Sequence, residues 1–89
     1  MKKTEPENLL EFPCQYQFKA VGLAGDRFRQ AVINAVSKYA VVSQDAVLSR
    51  PSGKGNYQSV SILVTLYNYR QLTDIYAEMR LAPDLKMLL

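Results

Sequence analysis

The feature that most constrains this chain is the order in which its hydrophobic periodicity changes from one segment to the next. Apolar and polar residues alternate where a half-buried strand is expected, and apolar residues recur every three or four positions where a helix is expected. The six segments, in chain order, are Gln15–Gly22, Phe28–Tyr39, Ala46–Arg50, Tyr57–Tyr67, Leu72–Met79 and Leu85–Leu89. The order β-α-β-β-α-β predicts an α+β ferredoxin-like sandwich, with two helices on one face of a four-stranded antiparallel sheet in the order 4-1-3-2.

The inward positions of these segments form a candidate hydrophobic core. Those residues are Tyr16, Phe18, Ala20, Phe28, Ala31, Val32, Ala35, Val36, Tyr39, Val60, Ile62, Val64, Leu66, Leu72, Ile75, Tyr76 and Met79. Asp26 is the expected N-cap of the first helix, and Asn68 with Gln71 resembles a capping box for the second. The polar segment 1–8 predicts a disordered tail, and residues 9–89 are expected to form a single domain.

Composition argues against most catalytic chemistry. The chain has no histidine and one cysteine, Cys14, so it lacks the commonest general base and the ligands of a typical zinc site. The sequence shows no nucleophile–base pair, metal-ligand set or cofactor loop, so we predict a non-enzymatic protein without a cofactor. Cys14 fits a small buried hydrophobe better than a reactive thiol. No apolar run suits a signal peptide or a membrane span, which predicts a cytoplasmic protein.

Two short motifs suggest phosphate or RNA binding, and both are incomplete. Gly53-Lys54-Gly55 lacks the Ser or Thr that follows the lysine of a phosphate-binding loop, and a strand comes next instead of a helix. A hairpin connection is the better interpretation, although a backbone nest for a small anion stays open. The Lys54–Ser61 stretch is similar to the third-strand motif of RNA-recognition domains, but Tyr57 is the only aromatic residue expected near the open sheet face. Base stacking uses two or three such rings, so nucleic acid is not the expected partner.

Several stretches resemble the YbeD family of small bacterial proteins. They are Leu10-Glu11-Phe12-Pro13-Cys14, then Lys19 and Gly22, then Arg50-Pro51-Ser52-Gly53-Lys54-Gly55-Asn56-Tyr57-Gln58-Ser59. The family commonly has serine where this chain has Gly53. The resemblance implies an ACT-like ferredoxin fold and a link to lipoate metabolism, because the family has been described as lipoate-regulatory. It implies no catalytic or ligand-binding residues.

Chain direction in the predicted fold gathers cations at one end of the domain. The loop after the first strand, the hairpin between the second and third strands and the loop before the last strand meet there; we call this the basic end. Our candidate ligand- or partner-binding residues at this end are Gly22, Gly25, Asp26, Arg27, Arg29, Arg50 and Lys54. An acidic small molecule or an acidic protein patch would fit them. The alternative is a solvated surface that is basic without being functional.

An apolar stripe is expected on the sheet face that the helices leave open. Val21, Leu63 and Leu88 lie on neighbouring predicted strands and would be exposed together. A homodimer contact or a partner contact would cover them. The alternative is that the N-terminal segment Leu9–Phe12 folds over them.

Together these observations predict a regulatory or adaptor module that binds a partner protein or an acidic small molecule, with a connection to lipoate metabolism. The net charge of +3 permits an anionic partner without requiring one. The alternative function is nucleic-acid binding through the basic end.

Overall fold

The computed structural model describes residues 10–89, and the elements follow the predicted order. They are β1 (Cys14–Leu23), α1 (Asp26–Ser37), β2 (Val47–Ser52), β3 (Tyr57–Leu66), α2 (Tyr69–Met79) and β4 (Leu85–Leu88). A single turn of 3₁₀ helix precedes β2 at Gln44–Ala46, and Gly53–Gly55, where all three residues have positive φ, form the turn of the β2–β3 hairpin. The predicted tail, residues 1–8, lies outside the described residues, and the boundary at residue 9 stays a prediction.

The sheet has the predicted topology. Its strands are antiparallel and lie in the order β2-β3-β1-β4, which confirms the ferredoxin-like arrangement. The central pair, β1 and β3, runs in register from Cys14 opposite Leu66 to Leu23 opposite Tyr57. Because side chains alternate along a strand, this register assigns every residue of the central pair to one face of the sheet.

The core lies between the sheet and the two helices. The fully or almost fully buried residues are Phe18, Ala20, Phe28, Val32, Ala35, Val36, Val60, Ile62, Val64, Leu66, Leu72, Ile75 and Met79. All of them were predicted from periodicity. Tyr39 was assigned to the core as well, but α1 ends at Ser37 and Tyr39 is 40% exposed. Beyond the last helical residue, the spacing of three or four no longer places a side chain on the buried stripe.

The two helices begin differently. At α2 the Asn68 side chain accepts a hydrogen bond from the Gln71 backbone N–H at 2.8 Å, as in a capping box. The return bond differs from that motif, because the Gln71 side chain accepts from the N–H of Tyr67, the residue before the N-cap, at 2.7 Å. At α1 the N-cap is Gly25, not Asp26, which is the first helical residue. The chain turns into α1 with a φ of +109° at position 25, a conformation that glycine adopts without strain.

An aromatic cluster closes the core beside α2. The Tyr76 hydroxyl lies 2.9 Å from the Tyr16 hydroxyl, and the rings of Tyr76 and Phe18 meet edge to face with centroids 5.0 Å apart. Burial raises the pKa of Tyr76 well above its usual value, and the hydrogen bond with Tyr16 raises it further. Tyr76 is therefore a neutral packing residue.

Replacing Tyr76 with phenylalanine is expected to reduce the alkaline loss of stability. The pKa of Tyr76 is higher in the folded than in the unfolded state. The contribution of this hydroxyl to the free energy of unfolding is therefore complete below about pH 10 and is lost as the pH rises above that value. Urea unfolding at about pH 8 and about pH 11 measures the loss. Tyr67→Phe is the control, because it removes a hydroxyl from a side chain that is 66% exposed. An equal alkaline loss in Tyr76→Phe and the unsubstituted protein would contradict the prediction.

Candidate functional site

Backbone hydrogen bonds bring the three loops of the basic end together. The Leu23 N–H donates to the Asp84 carbonyl of the α2–β4 loop, and the Ala24 N–H donates to the Asn56 carbonyl of the β2–β3 hairpin, both at 3.1 Å. The β1–α1 loop is thus anchored to both of the other loops. This part of the topological prediction agrees with the structure.

A buried glutamine that sequence reasoning missed completes this junction. Gln58 is 8% exposed, and its side-chain Nε2 donates to the backbone carbonyls of Leu23 at 2.9 Å and Gly25 at 2.6 Å. A signal was present in the sequence, because Gln58 continues the inward-facing alternation of Val60 and Ile62. A polar residue at such a position needs a buried hydrogen-bond partner.

Gly22 has a packing role in the structure. It is buried in β1, and a Cβ atom built at this position would lie 2.5 Å from the ring of Phe28. The Phe28 ring therefore occupies the space that a side chain at position 22 would need, which seats the first turn of α1 directly on the sheet. No other residue type leaves room for that contact.

The predicted cations are distributed over different surfaces. Arg27 forms an ion pair with Asp84, Nε to Oδ2 at 3.6 Å, and this pair connects α1 to the α2–β4 loop. Arg29 lines a groove between α1 and the start of β2. Arg50 points to the open sheet face, since it pairs with Ser59. Lys54 lies in the hairpin.

Two of the predicted residues do share a pocket. Gly25 and Arg50 line a shallow depression of about 220 Å³ between the β1–α1 loop and β2. This is smaller than the usual range of about 300–1,000 Å³ for small-molecule sites.

The predicted apolar stripe on the open face needs correction. Leu88 pairs with Ala20 and packs toward the core, so its assignment to the open face is wrong. A register shift between Val21 and Gly22 places Met87 opposite Val21 instead. Leu63 lies opposite Gln17, four residues along β1 from Val21, or about 13 Å away. The apolar residues of this face therefore form separate patches.

The open face combines these patches with cations. From the strand pairing its residues are Gln15, Gln17, Lys19, Val21, Leu23, Leu48, Arg50, Ser52, Tyr57, Ser59, Ser61, Leu63, Thr65 and Met87, together with Lys86, which packs over Tyr57. None of these strand residues is acidic, and Asp84, which lines a depression with Leu23, Tyr57 and Lys86, forms an ion pair with Arg27. Leu48 is 57% exposed, Met87 50% and Leu63 40%. Leu48 and Met87 thus lie beside Lys19 and Arg50, and Leu63 lies one level further along the sheet.

Other site types have little support in the described part of the chain. Among residues 10–89 no cluster of three or more Cys, Asp or Glu side chains is arranged to hold a metal ion. Within the same residues, no helix has the length and apolarity needed to span a membrane. Cys14 is half-buried and packs against the core.

Comparison with known proteins decides the family. Residues 7–89 match the sequence profile of a family described as "Protein of unknown function (DUF493)". The chain belongs to this family. A UPF0250 protein of Yersinia pestis (strain Pestoides F) is 36% identical over 98% of this chain and 99% of its own length. A UPF0250 protein of Serratia proteamaculans (strain 568) is 38% identical over 86% of this chain and 87% of its own length. Family membership, predicted from the Lys54–Ser59 stretch, is confirmed.

Solved structures similar to this DUF493 chain confirm the ACT-like fold. Protein HP0495 from H. pylori superposes with a TM-score of 0.77 and covers 100% of this chain and 94% of its own, at 11% sequence identity. The ACT domain from GTP pyrophosphokinase of Chlorobium tepidum superposes with a TM-score of 0.68 over 86% of this chain and 96% of its own, at 12% identity. At these identities the likeness concerns the fold.

Proposed function

We propose that this chain is a non-catalytic regulatory or adaptor module that docks an acidic, partly apolar segment of a partner protein on its open sheet face. The observation that carries the proposal is the composition of that face: exposed Leu48 and Met87 lie beside three cations, exposed Leu63 lies one level further along the sheet, and none of the strand-paired residues of the face is acidic. The likeness to an ACT domain of a larger enzyme supports the role of a small regulatory module.

The chemistry of the face selects the partner. Apolar side chains at the centre of a contact supply affinity, and charges around them supply orientation and speed of association. The planar guanidinium group of Arg50 can donate two parallel hydrogen bonds to a carboxylate. Lys19 adds a second positive charge nearby, since it pairs with Ser61 and Arg50 pairs with Ser59, two residues away on β3. An acidic segment with apolar anchors complements both features.

A second copy of the chain is a poorer occupant. A two-fold contact would place the same surface against itself, so Lys19, Arg50 and Lys86 would face the cations of the other copy. Like charges brought together in this way oppose association. The homodimer considered from the sequence is therefore not our proposal for this face.

An acidic small molecule and a nucleic acid are also poorer candidates here. The depression that holds Gly25 and Arg50 is small, and the nearby Arg27 is already paired with Asp84. For RNA, Tyr57 is the only aromatic residue among the described residues that the strand pairing places on the open face, and the Lys86 amino group lies 5.1 Å from its ring centroid. Both features leave little room for a base-stacking platform.

Charge reversal tests the proposal. The chain would be used as bait in a nuclease-treated lysate, and the recovered partner would be purified and titrated against Lys19→Glu/Arg50→Glu. We expect an affinity loss of about tenfold or more, because two attractive pairs become repulsive. The control, Arg70→Glu/Arg80→Glu, makes the same change in net charge at the two ends of α2 and should bind as the unsubstituted chain does. Equal binding by both variants, or partners lost on nuclease treatment, would reject the proposal.

Two finer points of the proposal concern the location of the module and its metabolic role. We place the module in the cytoplasm, where a lone thiol such as Cys14 stays reduced. The link to lipoate metabolism stays a prediction, and recovery of a lipoate-handling protein as the partner would support it.

A further inference from the structure

The outer edge of β2 carries no partner strand among the described residues. β2 pairs with β3 on one side, and no strand within residues 10–89 lies on its other side. Five of its six residues, 48–52, are exposed. The opposite edge of the sheet is β4, which has four residues and a register shift against β1. Short strands and irregular pairing protect an edge, so β2 is the edge that a strand of another chain can extend.

Pro51 shows which backbone groups of β2 face outward. Proline has no N–H to donate, so within a sheet it lies where that group would point away from the neighbouring strand. The β1–β3 ladder agrees, because the Ala24 N–H donates to the Asn56 carbonyl and the odd-numbered residues of β3 therefore face β2. Those residues pair with the even-numbered residues of β2. The outward groups are thus the N–H and C=O of Val47 and Ser49 and the C=O of Pro51.

The side chains beside this edge give it a preference. Leu48 and Arg50 lie two residues apart on the open face, and both are exposed. If Val47 and Ser49 bonded to an added antiparallel strand, Leu48 and Arg50 would form the non-hydrogen-bonded pairs, in which opposite side chains come closest. An apolar residue would cover Leu48, and a carboxylate would pair with the Arg50 guanidinium. Pro51 offers no donor, so the added ladder would be short.

We propose that the partner segment binds as a fifth strand, antiparallel to β2, and that it contains an acidic residue, any residue and an apolar residue in that order. Antiparallel direction places the acidic residue opposite Arg50 and the apolar residue, two positions later, opposite Leu48. This direction matches the rest of the sheet and is the more stable pairing. The inference rests on the proposed function, because it states how the acidic segment is held. It adds main-chain hydrogen bonds to Val47 and Ser49 as a source of affinity.

A synthetic peptide and two methylated forms test the backbone contacts. The probe, acetyl-Thr-Glu-Thr-Leu-Thr-amide, should bind with a Kd of about 1 mM, on the order expected for a short ligand that is ordered on binding. In the proposed register the N–H of its central threonine donates to the Ser49 carbonyl, whereas the N–H of its glutamate points away from β2. Methylating the central threonine nitrogen should weaken binding by about tenfold or more. Methylating the glutamate nitrogen is the matched control and should leave the Kd unchanged.

Two variants test the same contact from the side of the chain. Ser49→Pro removes the outward N–H and keeps the bonds to β3, so it should weaken binding of the probe by about tenfold. Ser49→Ala keeps the N–H and should bind as the unsubstituted chain does. In the unsubstituted chain, the Ser49 N–H should exchange about tenfold more slowly at a probe concentration about ten times the Kd. Exchange at the Arg50 N–H, which already faces β3, should not change.

The outcomes separate strand addition from docking on the face alone. Equal binding by the two methylated peptides, or an unprotected Ser49 N–H in the complex, would overturn strand addition. Docking on the open face would still be decided by the charge-reversal titration of the recovered partner. Failure of the probe to bind would also overturn the inference, and so would equal binding by acetyl-Thr-Leu-Thr-Glu-Thr-amide, which reverses the order. Protection of the Ser49 N–H in a dimer without peptide would assign the edge to a second copy and overturn it too.

Discussion

Replacing Gly22 with alanine is expected to destabilise the domain by about 3 kcal/mol, at the upper end of the usual cost of overpacking a core. The added Cβ would lie 2.5 Å from Phe28 Cε1 and 2.6 Å from two neighbouring ring atoms. Phe28 is 1% exposed, so its ring has no free space into which to move. Either α1 must shift away from the sheet or the Phe28 side chain must leave its rotamer. Urea unfolding of the purified variant measures the loss.

A double-mutant cycle distinguishes this steric cause from a general effect of changing a strand glycine. In a Phe28→Leu background the ring is gone, so adding Gly22→Ala should cost less than about 1 kcal/mol. Phe28→Leu alone should be destabilising through lost packing. If Gly22→Ala cost the same in both backgrounds, the contact with Phe28 would not be the reason for glycine at this position.

Replacing Gln58 with methionine is expected to cost about 2 kcal/mol of unfolding free energy, because two hydrogen bonds worth about 1 kcal/mol each are lost. Methionine preserves the length and approximate volume of the side chain, so the loss of packing is small. What disappears is the amide that donates to the Leu23 and Gly25 carbonyls. Those two bonds connect the last residue of β1 and the N-cap of α1 to β3.

The same substitution should loosen the β1–α1 loop more than the rest of the domain. Amide hydrogen exchange is the appropriate measurement, because it reports local opening residue by residue. We expect faster exchange at the Ala24 N–H, which donates to Asn56 in the same junction. Gln17→Met on the exposed face of β1 is the matched control and should alter neither stability nor exchange. An unchanged exchange rate at Ala24 in Gln58→Met would show that the Gln58 amide does not hold this loop.

The candidate site was predicted less well than the core, and particular residues show why. Periodicity placed Phe18, Val60 and Ile75 correctly, since it depends only on the spacing of residues within one element. Leu88 was misplaced because the register shift beside Gly22 depends on how β4 meets β1. A single shifted residue moves a side chain to the other face of the sheet.

The charge arguments failed in the same way at the basic end. Counting cations by loop placed Arg27, Arg29 and Arg50 together, and the loops themselves do meet. The side chains diverge, because one pairs with Asp84, one lines the groove beside Ile33 and one lies on the open sheet face. Loop position therefore predicted the end of the domain correctly but not the surface to which each cation belongs.

The sequence by itself determined the element order, the sheet topology and the buried faces of β1, β3 and the two helices, because these follow from local periodicity and chain connectivity. Only the tertiary structure decided that Gly22 accommodates a ring, that Gln58 holds a loop, and that Met87 joins Lys19 and Arg50 on one face. The physical reason is that each of these depends on how two separate elements pack against or pair with each other. These arrangements are set by strand register and side-chain packing, and local sequence patterns carry no information about either.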